Sequence, residues 1–268
     1  MEILRKLKFQ TLPLSLSGVI LGILLAAADY VVDWKVAVSL FAATAFLHLS
    51  VNAEKLSKED VQMKRASAVL LALTIVCGVF AVYLTFGTLL LMESFVMMLF
   101  GYVIIRTSRH SDFFNTTQTL SRKLVPVFLL TALVPVYGSY YICSHSFGTW
   151  LLLLPSLAVG ALDLAIVCAG SVLNGKGECT YKVLQVLSVL VSLVAMTLFA
   201  ALRVFDIWHY LYLLSLPLLV LYITATVKGN IERSFKLILA YTFVFSVLCG
   251  LGYVIFLIDF GMKLQSIC

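Results

Sequence analysis

Apolar runs long enough to cross a membrane follow one another from Leu12 to Ile258, and that succession leaves few folds open. A helix needs roughly 20 apolar residues to cross the hydrocarbon. Backbone groups in lipid find no water, so a crossing segment is a helix or a strand of a closed barrel. Barrel strands alternate apolar and polar side chains. These runs are apolar on every side and read as helices. Composition agrees: 62% of the 268 residues are hydrophobic and 12% charged, against about 25% charged in a soluble domain.

Nine spans are expected: Leu12–Ala28, Val36–Val51, Ala66–Phe86, Thr88–Ile105, Leu124–Cys143, Thr149–Gly170, Val183–Leu202, Ile207–Val227 and Leu237–Ile258. Placing the N-terminus in the cytosol puts every Lys and Arg except Lys35, Arg203 and Lys263 on the cytosolic side. This is the positive-inside distribution, and a miscounted span would scramble it. The C-terminus then lies outside. Trp34, Trp150 and Trp208 all fall at outer span ends, where interfacial aromatics belong. A net charge of +6 spread over loops in this way speaks for orientation in a membrane and against nucleic-acid binding.

Residues 1–28 have a basic start, an apolar run and three closing alanines, as a cleavable signal peptide does. The run is long for a signal core, so it is read as the first span of a single membrane domain, 1–268. Six cysteines (77, 143, 168, 179, 249 and 268) show no metal spacing and read as small packing residues. No serine–histidine–acid set, zinc motif or phosphate-binding loop is present.

The most charged stretch is Ser50–Arg65, SVNAEKLSKEDVQMKR, which joins spans two and three. It holds Asn52, three carboxylates (Glu54, Glu59, Asp60) and four cations (Lys55, Lys58, Lys64, Arg65). Within the spans, Thr44, His48 and Asn52 form a polar stripe on span two. Asp163 lies in mid-span six, with Ser156 on the same face. A charge at such a depth costs on the order of 2.5–3.5 kcal/mol on insertion scales and usually faces an interior or a wet cavity. His48 and Asp163 are therefore a candidate intramembrane polar site. The bland alternative is that each is satisfied separately by a neighbouring hydroxyl or carbonyl.

Four segments carry a resemblance. KFQTLPLSLSGVILG, VDWKVAVSLFAATAFLHLSVN, VPVYGSYYICSHSFGTWLLLLPSLAVGALDLAIV and ERSFKLILAYTFVFSVLCGLGYVI resemble helices one, two, five to six and nine of the UbiA-type prenyltransferases. The bacterial 1,4-dihydroxy-2-naphthoate polyprenyltransferases of menaquinone synthesis are the nearest in pattern. The resemblance implies nine helices around a central cavity open to the cytosol, in a bacterial inner membrane. It also implies transfer of a polyprenyl group from its diphosphate to an aromatic ring. Mg²⁺, held by aspartate motifs after helices two and six, neutralises the departing diphosphate in that family. Nearby Lys and Arg grip it too.

Both motifs are thinned here. In the first, Asn52 matches, Leu56 replaces an aspartate, and Glu59 stands at the last position with Asp60 beside it. In the second, Ala169 and Leu173 stand where aspartates belong, and Glu178 is the one carboxylate left. Candidate diphosphate or headgroup contacts are Lys64, Arg65, Arg106, Arg109, Lys176 and Lys182. The expectation is a catalytically impaired relative that binds a polyprenyl or quinone-like lipid and needs no cofactor. The alternative is an active prenyltransferase using Mg²⁺.

Overall fold

The computed structural model describes residues 11–56, 61–110, 128–173, 178–203 and 206–265, and what it describes is helical, with no strand among the described residues. The helices, in order, are α1 Leu12–Asp29, α2 Trp34–Leu56, α3 Val61–Phe86, α4 Met92–His110, α5 Phe128–Ser144, α6 Trp150–Leu173, α7 Glu178–Arg203, α8 Ile207–Val227 and α9 Ile231–Gln265. Each of the nine apolar runs overlaps one of them, residues 124–127 of the fifth run lying outside the described residues. Six are long and apolar enough to cross a membrane: α2, α3, α6, α7, α8 and α9. The outward side chains are those a lipid-immersed bundle presents. On α3, Val69, Val76, Phe80 and Tyr83 are exposed. Water would not tolerate so continuous an apolar surface on a soluble monomer.

Helix α6 is the axis. It is apolar all round and buried along most of its length, as such a helix must be. It packs on α5, α7, α9 and α1. Helix α1 is wedged against α9, α5 and α2. Its Gly18 and Gly22 let it approach α5 closely: a Cβ on Gly22 would lie 2.1 Å from Ser139 Oγ and 2.4 Å from the Val136 carbonyl oxygen. Small residues four apart are the usual means of bringing two membrane helices into backbone contact. Helices α2 and α3 form a hairpin, with α4 packed more lightly on α3.

Prolines set the irregular turns. Pro135 lacks an N–H and its ring crowds the carbonyl four residues back, and the turn before it, Phe128–Leu133, opens into a π-helix. Pro217 is preceded by a 3₁₀ stretch, Ile207–Ser215, whose start is capped by Asp206 accepting from the Trp208 N–H at 3.0 Å.

Two expected boundaries shift. Span four was expected from Thr88, but the helix begins at Met92. Gly87 ends α3 with φ of +70°, and Thr88 then forms a turn, accepting from Leu90 N–H through Oγ1 and from Ser94 Oγ through its carbonyl. The charged stretch Ser50–Arg65 was expected to lie between spans, yet α2 continues to Leu56 and α3 starts at Val61. Charged residues extend a helix readily once it leaves the hydrocarbon; polarity alone does not stop it.

Candidate functional site

The bundle has two polar ends. Near the starts of the odd-numbered helices, His48 on α2 holds the start of α1: Nε2 lies 2.9 Å from Thr11 Oγ1 and Nδ1 lies 2.6 Å from Ser15 Oγ. Two residues on from His48, Ser50 on α2 and Ser67 on α3 stitch the two helices reciprocally, each hydroxyl donating to the other's backbone carbonyl at 3.2 and 3.1 Å. Ser67 Oγ also donates to Glu54 Oε2 at 3.3 Å. Asn52 and Glu54 thus belong to the helix pair. Lys64 and Arg65 are exposed on the first turn of α3.

A small recess opens at the same end between α6, α7, α8 and α9. Ala169, Val172, Lys182, Gln185, Thr226, Ile231 and Ser234 line it, and it has room for about one water molecule. Its polar groups are paired across helices. Tyr222 Oη donates to Gln185 Oε1 at 2.9 Å, and the Thr226 and Ser234 hydroxyls bond at 2.7 Å. Ala169, where the resemblance expects an aspartate, is buried in this wall. Leu173 is four residues further along α6 and exposed.

Ala169, Leu173 and Leu56 carry no ligating atom, and no group of three or more His, Cys, Asp or Glu converges among the described residues. Glu59, Asp60 and Lys176 lie outside the described residues. Glu178 opens α7, and Arg106 and Arg109 fall in the last turns of α4, by backbone position. Compared with family models and with curated proteins, the chain matches none.

His48 and Asp163 share no hydrogen bond. The partners of His48 just named are on α1. Asp163 is wholly buried, and neither carboxyl oxygen has a hydrogen-bond partner among the described residues. Thr131, in the π-helical turn of α5, approaches it without reaching hydrogen-bond geometry. Ser156, on the same face of α6, turns its hydroxyl to the Leu152 carbonyl at 2.8 Å.

At the opposite end, a cluster escaped the sequence reading. Arg203, closing α7, forms an ion pair with Asp29, closing α1. Tyr140 on α5 donates to Asp29 Oδ2 at 2.8 Å. The guanidinium lies over the rings of Phe199 and Tyr253, 5.7 and 5.4 Å from their centroids. The signal for it was opposite charge at the same ends of two odd-numbered helices. The sequence supplies that hint once the passes are counted, but not which of them lie close.

Proposed function

We propose that the chain is a nine-pass membrane protein of the UbiA type that binds a polyprenyl or quinone-like lipid in its bundle and has lost efficient diphosphate chemistry. The Asp29 end faces outward and the His48 end faces the cytosol of a bacterial inner membrane. Support for the orientation comes from exposed cations at the His48 end (Lys64, Arg65, Lys228, Arg233 and Lys236) and from Trp34 and Trp150, each 68% exposed, at the other.

The observation that carries the loss of chemistry is Ala169. Departure of an allylic diphosphate needs its charge neutralised as the C–O bond breaks, and every 1.4 kcal/mol of lost stabilisation slows the step about tenfold. At the second motif position the wall presents a methyl group, one lysine and neutral hydrogen-bonding groups. Lys182 can attract an anionic headgroup there, but it cannot hold a metal.

The test is Mg²⁺-dependent diphosphate release from a long-chain prenyl diphosphate by the protein purified in detergent, with dihydroxynaphthoate present. Co-purified and added prenyl lipid are followed by native mass spectrometry. The expected result is retained lipid with no release above the protein-free rate. Release that disappears in the Glu59→Gln, Asp60→Asn variant would instead establish an active prenyltransferase. Failure to retain prenyl lipid would overturn the binding reading.

A further inference from the structure

Arg203 reaches across the top of α9. Helices α1 and α7 have little backbone contact of their own, whereas α9 packs extensively against α1; α7 meets α9 here through side chains, the Phe199 and Tyr253 rings lying 5.3 Å apart. The Arg203 side chain starts on α7, passes over the ring of Tyr253 on α9 and ends on Asp29 of α1. Tyr140 adds a fourth helix by donating to the same carboxylate, and its ring meets that of Tyr30 edge-on at 6.3 Å. Arg203 and Asp29 retain 25% and 24% side-chain exposure, so the pair sits at the rim and not in the core.

What lies under this rim is unusual for a membrane interior. Tyr253 Oη and Ser246 Oγ on α9 and Ser192 Oγ on α7 are buried with no hydrogen-bond partner among the described residues, and Tyr241 Oη is buried beside Ser215. Cys249, fully buried one turn below Tyr253, lies among Tyr212, Tyr241 and Tyr253. Arg203, lying over the Tyr253 ring and paired with Asp29, stands between these buried groups and the Asp29 end.

We propose that Asp29, Arg203 and Tyr140 form a strap that closes the Asp29 end of the bundle and shields the buried Cys249 from reagents on that side. The strap joins helices far apart in sequence through one charge pair, so a single substitution opens it.

Cys249 itself reports the opening. The full-length protein in detergent is treated with a cationic methanethiosulfonate, and each cysteine is quantified by peptide mass spectrometry. Asp29→Asn and Arg203→Gln each raise the labelling rate of Cys249 about tenfold, because local opening follows the interaction removed. Tyr140→Phe raises it less. The exchange variant, Asp29→Arg with Arg203→Asp, returns the rate toward that of the parent. Cys77, half-buried on α3 and remote from the strap, is the control and stays constant. Unchanged Cys249 labelling in both single variants overturns the proposal. So does an equal rise at Cys77, which reports general loosening, or an exchange variant as reactive as the singles.

Discussion

The two ends of the bundle are held by different physics. Towards the Asp29 end, helices approach closely through glycine. Gly22 abuts the Val136 carbonyl and Gly252 the Trp208 carbonyl, while Gly250 abuts the Leu24 side chain. The charged strap then ties three helices over a fourth. At the His48 end the ties are side-chain hydrogen bonds between helices adjacent in sequence: α1 to α2, α2 to α3, α7 to α8, α8 to α9. Steric contact between backbones has no alternative arrangement of similar energy, whereas hydroxyl and amide pairs re-form with new partners. One end is therefore built as a fixed anchor. The other, where the recess and the cations lie, is free to adjust around a headgroup.

The largest effect that can break this comparison is at Gly22. A Cβ there would meet the Val136 carbonyl at 2.4 Å, and a backbone oxygen cannot rotate away as a flexible side chain can. Gly22→Ala is expected to destabilise by about 3 kcal/mol, the upper range of overpacking. It should lower the midpoint of thermal unfolding in detergent clearly. A midpoint unchanged by the methyl group would mean that α1 and α5 are not in backbone contact.

At the other end the corresponding substitution is Ser67→Ala. It removes hydrogen bonds to the Ser50 carbonyl and to Glu54. Interhelical hydrogen bonds in membranes average about 0.6 kcal/mol, because the separated helices find other partners. The expected loss is of that order, too small to shift the unfolding midpoint as Gly22→Ala does. The two variants measured side by side sharpen the contrast, and equal effects would abolish it.

Which parts of this were legible beforehand follows from how each is encoded. The helical, apolar character was readable because burial in lipid demands apolar runs, and six of the described helices are long and apolar enough to cross a membrane. The helix limits at Leu56 and Met92 were not, since they depend on how far a helix continues past the hydrocarbon and on a turn built by Thr88. His48 was singled out by depth and polarity, but its partners Thr11 and Ser15 lie on another helix and need the packing to be known. The Asp29–Arg203 pair spans 174 residues of sequence, and no local pattern announces it. Ala169 was noticed only as a missing aspartate. That it forms the wall of a recess beside Lys182 is a property of four helices meeting.

Asp163 belongs to neither end and gives the smallest expected effect on stability. A buried carboxyl without a hydrogen bond normally costs the fold, and neutral replacement of buried charge is often harmless or stabilising. Asp163→Asn keeps the shape and is expected to leave the unfolding midpoint equal or slightly higher, by up to about 1 kcal/mol. Its neighbourhood contains a π-helical turn at Thr131 and close packing where Gly160 meets Phe128 and Ala132, so the amide has little freedom to find partners that the carboxyl lacks. A marked fall in stability would show that the carboxyl is engaged in the folded protein in a way an amide cannot reproduce. An equal or higher midpoint with weakened prenyl-lipid retention would make Asp163 a residue kept at the expense of stability, a middle region serving the ligand while the two ends serve the fold.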